Sequence, residues 1–178
     1  MKEMSYGQLL SEMERLSEKL VSTCCDKGIR LATAESCTGG MISAAVTAVS
    51  GSSAVIELGV CSYSNRIKEK VLGVSAQTLK LYTEYSVQCA EEMARGVKAA
   101  ASAQLGISTT GVAGPTGGTA EHPVGEVCIA VCTDKRCTAD RTIYKKPQDE
   151  SADVRDYVRA AAAVTALKTA LEAAGEDY

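Results

Sequence analysis

The sequence predicts one α/β domain over residues 1–178, a three-layer α/β/α sandwich around a mixed sheet. Three observations carry this. Extended apolar segments alternate with helical ones through the first two thirds of the chain, the pattern of a sheet covered on both faces. A hairpin pattern and one long amphipathic segment then close the chain. Finally, 178 residues suit a single core, and no linker, repeat or low-complexity block divides them. Hydrophobic residues make up 46% of the chain without one Phe or Trp, so the core is built from Ala, Val, Ile, Leu, Met, Cys and a few Tyr.

Ser5 and Gln8 form a capping box before Leu9, Met13, Leu16 and Leu20, which recur on one helical face until Gly28 stops the helix. "IRLATA" at 29–34 reads as a buried strand and "MISAAVTAV" at 41–49 as a buried helix, joined by the turn "ESCTGG". After "SGSS", the segment "AVIELGVCSYS" reads as a second strand ending near Tyr63. Asn65–Leu72 and Ala76–Tyr82 read as short helices. Ser86 caps a longer one, with Ala90, Met93, Ala94, Val97 and Ala101 at helical spacing. "LGISTT" at 105–110 resumes extended structure, and "GVAGPTGGTAEHPVG" at 111–125 has too many glycines and prolines for a regular element. "EVCIAVCT" and "CTADRTIYK" flank Asp134-Lys135-Arg136 as a hairpin. Val154, Tyr157, Val158, Ala161, Val164 and Leu171 then define a closing amphipathic helix.

A net charge of −3 without a basic block excludes the electrostatic footprint of nucleic-acid binding. No apolar run approaches the roughly 18 residues of a membrane span, and "MKEMSYGQLLSEMERL" is too acidic and amphipathic for a signal peptide. The chain is expected in the cytoplasm. Its eight cysteines contain no CxxC pair and it has one histidine, so no metal site is expected. In a reducing compartment the cysteines read as buried thiols. Cys128 and Cys132, four apart on a strand, face one side of the sheet, which suggests packing rather than a bridge.

Ligands of open sheets gather at the carboxyl ends of strands, where both glycine-rich loops lie, after Ala34 and after Thr110. The first loop leads into a helix, whose free N–H groups and dipole suit a phosphate or an oxyanion. Neither loop matches an ATP or dinucleotide fingerprint. Ser36, Cys37 and Thr38 are the nucleophile candidates, and a nucleophilic serine needs a base. His122, beside Pro123, reads as a solvated loop histidine. A lysine with a lowered pKa is the other choice, and Lys68, one helical turn beyond Ser64, can face the first loop together with Tyr63. Taken singly, Ser36 reads more readily as a helix cap, Lys68 as a solvated helix residue and Tyr63 as a sheet-edge aromatic.

Together "TAESCTGG", "GSS", "YSN" followed by Lys68, and "TTGVAGPTGGTAEHPVGEV" resemble the CinA C-terminal domain family, over about residues 7–173. The resemblance is to the stand-alone form of that domain, characterised as nicotinamide-nucleotide amidohydrolase. It implies hydrolysis of the carboxamide of nicotinamide mononucleotide to nicotinic acid mononucleotide and ammonia, with no cofactor and no metal. It further implies Ser36 as nucleophile, Lys68 as base, Tyr63 as an assisting residue that can relay the proton, and Thr110 lining the site. Backbone N–H groups around Thr38, Gly39 and Gly40, beside Cys37, are then the oxyanion-hole candidates. The second loop, with Gly111 and Gly114, cradles ribose and phosphate. A small-molecule nucleotide partner and a homo-oligomer, a dimer, are expected on the same basis.

Two segments depart from the family pattern. "TEYS" at 83–86 stands where "GAVS" is common, and "DES" at 149–151 where "GDR" is common. The second change places Ser151 where an arginine would meet the phosphate, leaving Arg155, Arg141 or Lys145 as substitutes. Two other readings stay open: a nucleotide-binding module without activity, and a serine amidohydrolase of another amide.

Overall fold

Five strands in the order β2-β1-β3-β4-β5 form the central sheet of the computed structural model, which describes residues 4–177. Strands β1 (Leu31–Glu35), β2 (Ile56–Cys61) and β3 (Leu105–Gly111) run parallel, with β1 in the middle. β4 (Glu126–Cys132) and β5 (Cys137–Ile143) return antiparallel on the β3 side, giving the expected mixed sheet. Alternation along the strands feeds two cores. Leu31, Leu105, Ile107, Val127, Ile129 and Val131 belong to the core that also holds residues of α1 (Tyr6–Lys27), α2 (Met41–Thr47) and α6 (Val154–Asp177). Ala32, Ala34, Cys128, Ala130 and Cys132 pack instead with residues of α5 (Val87–Ala100). α3 (Asn65–Leu72) and α4 (Ala76–Tyr82) lie against α5.

The helix boundaries follow their caps. Ser5 accepts from the Gln8 N–H while the Gln8 side chain accepts from the Ser5 N–H, and Gly28 closes α1 at φ 65°. Ser86 accepts from the Cys89 N–H to start α5. α6 buries eight alanines, which lets it lie close to α1 and the sheet. Gly96 brings α5 against the end of α3, because a Cβ there would collide with the Leu72 carbonyl. That contact seats the helix carrying Lys68.

Two expectations are corrected. The second strand is shorter than its apolar pattern, because Ser52–Ala54 closes a 3-10 turn and pairing with β1 ends at Cys61. Tyr63 therefore lies beyond the sheet. The cysteines are not all thiols either: Cys132 and Cys137, opposite each other at the end of the β4–β5 hairpin, are joined by a disulfide. Cys128 and Cys132 do share a face. Cys25 and Cys61 are exposed, while Cys24, Cys37, Cys89 and Cys128 are buried thiols. No helix among the described residues is long and apolar enough to cross a membrane.

Candidate active site

The turn after β1 is built around a residue that sequence patterns do not single out. Glu35 is fully buried and its carboxylate accepts from five donors. They are the Thr38 hydroxyl at 2.7 Å, the N–H groups of Gly40, Ile42 and Ser43 at 3.0, 3.1 and 2.8 Å, and the Ser43 hydroxyl at 2.8 Å. The protein's own carboxylate thus occupies the positive end of α2, where an anionic ligand was expected. Thr38 also meets the Thr109 hydroxyl at 2.7 Å, and its carbonyl accepts from Arg159 Nη2 at 2.9 Å. The Ser36 N–H donates to the Thr109 carbonyl at 2.9 Å. Every one of these bonds holds the backbone on either side of Ser36 in place.

That binding corrects the oxyanion candidates. The Gly40 N–H is bound to Glu35 and the Gly39 N–H to the Ser36 carbonyl at 3.2 Å, so neither is free for a ligand. Gly40, at φ +93°, is needed for the turn itself. The N–H groups of Cys37 and Thr38 donate neither to Glu35 nor to a backbone carbonyl among the described residues.

Lys68 is 1% exposed, and its Nζ lies 3.1 Å from Ser36 Oγ. Loss of solvent pushes its pKa below the ordinary lysine value, while Cys89, Glu84 and Cys37 push the other way. Burial raises the Cys89 thiol to about 11 and the Cys37 thiol to about 12, so both are uncharged at neutral pH. Glu84 is then the anion acting on the lysine.

A cleft opens over this pair, lined by Cys37, Tyr63, Glu84 and Tyr85 and by the second loop from Gly111 to Gly117. Arg155, from the first turn of α6, crosses it. One guanidinium nitrogen donates to the Gly114 carbonyl at 2.8 Å and the other to the Tyr63 hydroxyl at 2.9 Å. Tyr63 is 65% exposed, and its hydroxyl is engaged there rather than with Ser36 or Lys68. Thr110 is buried behind the cleft and donates to the Glu84 carbonyl at 2.6 Å, so it holds a lining residue instead of lining the site. Arg141 is drawn away to the buried Glu126 at 2.8 Å, and Lys145 is exposed outside the cleft.

His122 is not a solvated loop residue. Its Nδ1 is 3.0 Å from Glu126 Oε1, its Nε2 is 3.3 Å from Thr83 Oγ1, and its ring stands against Tyr85. It braces the second loop and is not among the residues lining the cleft. Glu35, Glu84, Tyr85 and Glu126 are the residues that sequence reasoning missed. For Glu35 a signal existed, an acidic residue just ahead of a helix N-terminus; the other three are brought in by long-range packing.

The family model of the CinA C-terminal domain matches residues 13–174. A CinA-like protein of Anaeromyxobacter sp. (strain Fw109-5) is 42% identical over 162 residues, 91% of this chain and 37% of that protein. A CinA-like protein of Shewanella amazonensis is 41% identical over 165 residues, covering 92% and 38%. The chain spans roughly a third of the length of the curated relatives it matches. The crystal structure of competence/damage inducible protein CihA from Agrobacterium tumefaciens superposes with a TM-score of 0.85 at 35% identity, covering 93% of this chain and 96% of that one.

Proposed function

The chain belongs to the CinA C-terminal domain family, and on that premise we propose that it is a nicotinamide-nucleotide amidohydrolase, converting nicotinamide mononucleotide and water to nicotinic acid mononucleotide and ammonia. The observation that carries this reading is the buried contact of Lys68 Nζ with Ser36 Oγ at 3.1 Å. A hydroxyl beside a desolvated amine is an activated nucleophile, since burial favours the neutral amine that can take the proton. With Tyr63 turned to Arg155, the transfer is direct.

In the first half-reaction Ser36 Oγ loses its proton to Lys68 and bonds to the carboxamide carbon. The C–N bond then breaks, and the ammonium of Lys68 returns the proton to the departing nitrogen as ammonia leaves. In the second, Lys68 takes a proton from water, whose oxygen attacks the ester carbon. Ser36 departs with that proton and the acid is released. The N–H groups of Cys37 and Thr38 are the oxyanion donors of this scheme, an effect worth roughly 3 kcal/mol per donor in acyl transfer. Arg155 supplies the positive charge for the phosphate in place of the arginine absent at Ser151.

The test is ammonia release from nicotinamide mononucleotide, nicotinamide riboside, nicotinamide and NAD. The mononucleotide is the expected preferred substrate, and Arg155→Gln is expected to raise its KM about tenfold or more while changing the riboside little. Equal turnover of riboside and mononucleotide would point to another amide. Tight mononucleotide binding without turnover would point to a binding module. A homodimer is part of the same reading, and light scattering that shows monomer alone would reject it.

A further inference from the structure

We propose that Glu84 is a specificity-determining residue that selects a cationic ring beside the scissile amide. The proposal rests on the amide-hydrolase reading above and adds the charge of the group recognised next to Ser36. Glu84 lines the cleft with Ser36 and Lys68, and its main chain is tightly held. Thr110 bonds its carbonyl, and the preceding Thr83 sits at φ 66°, ψ 172°, a conformation that favours glycine. Thr83 is kept there by its hydroxyl, which accepts the Tyr85 N–H at 3.2 Å, and by its carbonyl, which accepts the Ser86 hydroxyl at 2.9 Å. The fold accepts a strained residue and so presents Glu84 and Tyr85 to the cleft.

The half-buried carboxylate of Glu84 has neutral hydrogen-bonding partners. Asn65 Nδ2 donates to it at 3.2 Å, and the Tyr85 side chain interacts with it. It forms no ion pair among the described residues. Lys68 must be neutral to take the serine proton, so in the reactive state the carboxylate lacks that counter-charge as well. Arg155, the cleft's guanidinium, is turned to Gly114 and Tyr63. The cleft therefore offers one negative and one positive group, the complement of a zwitterion. An N-alkyl pyridinium carboxamide bearing a phosphate has those charges in that relation: its ring cation adjoins the amide, and its phosphate lies across the ribose. Hydrolysis turns the neutral amide into an anionic carboxylate near Glu84, so the same residue disfavours the product and promotes its release.

The test compares nicotinamide mononucleotide with its 1,4-dihydro form, which has the same amide, ribose and phosphate but a neutral ring. Each is assayed with wild-type protein and with Glu84→Gln and Glu84→Ala. Because intrinsic reactivity cancels in the ratio of variant to wild type, and with the rates taken on the plateau above the Lys68 limb so that its shifted midpoint in the variants does not enter, the proposal expects kcat/KM to fall about tenfold for the cationic form and less than about twofold for the neutral form, as for loss of a partly screened charge pair. Equal losses for both forms, or no loss for either, would overturn it. Failure of the amidohydrolase reading registers separately, as no ammonia from either nucleotide with wild-type protein. Calorimetric Kd values for the same pair then decide: cation binding weakened selectively by Glu84→Gln upholds the assignment, and an unchanged ratio overturns it.

Discussion

Lys68 Nζ and Ser36 Oγ lie 3.1 Å apart although 32 residues separate them in the chain. Two parallel neighbours, β1 and β2, create this proximity. The turn after β1 carries Ser36, and the helix after β2 carries Lys68. The Glu35 carboxylate fixes one side, and the packing of α3 on α5 fixes the other. A pair held from both sides needs little reorganisation to react.

A lysine can act as a base only when neutral, and burial lowers the pKa of Lys68. A lowered pKa means that the neutral form is reached at lower pH than for an ordinary lysine. kcat/KM is therefore expected to rise with pH along a limb whose midpoint lies below 10.5, the usual lysine value. Glu84→Gln, by removing the anion that favours the ammonium, moves that midpoint down. Lys68→Arg, charged at every accessible pH, loses about 10²-fold or more. A rate that falls as pH rises from about 6 to 9 would contradict the assignment of the base.

Cys37 adjoins Ser36 and lines the cleft, yet burial raises its thiol to about 12. It is not a thiolate at neutral pH and is not a nucleophile there. Cys37→Ala is expected to keep activity within about threefold of wild type, and iodoacetamide at neutral pH to leave Cys37 unmodified by peptide mass mapping. An inactive Cys37→Ala beside an active Ser36→Ala would exchange their roles.

Glu35 is a stability residue as much as a site residue. Glu35→Ala strands the donors of Thr38, Gly40, Ile42 and Ser43 in a buried turn. Unfolding by urea is expected to show a loss of about 3 kcal/mol or more, with activity falling in parallel. A loss under about 1 kcal/mol with normal activity would mean that the turn does not depend on the carboxylate.

Local chemistry made much of the fold legible. α1 could be bounded because Ser5, Gln8 and Gly28 act within a few residues of themselves, and the bounds of α3 and α4 coincide with their sequence pattern. The disulfide was hidden because it depends on strand register: Cys132 meets Cys137 only once β4 and β5 pair. Gly39 and Gly40 looked like free oxyanion donors because "ESCTGG" reads as a glycine turn; the acid ahead of the helix start is visible in it, but the bonds from Gly40 to Glu35 and from Gly39 to the Ser36 carbonyl form only in the folded turn. Arg155 was named for its charge, but its contacts with Gly114 and Tyr63 arise from the docking of α6 and have no sequence spacing to betray them.

The most direct test of the central claim is ammonia release from nicotinamide mononucleotide by wild-type protein and by Ser36→Ala, with the nucleotide product followed by mass spectrometry. The account predicts one nicotinic acid mononucleotide per ammonia with wild-type protein. It predicts a loss of about 10³-fold or more with Ser36→Ala, whose circular dichroism and melting temperature stay near wild type. Ammonia release by a folded Ser36→Ala at a rate near wild type would contradict it.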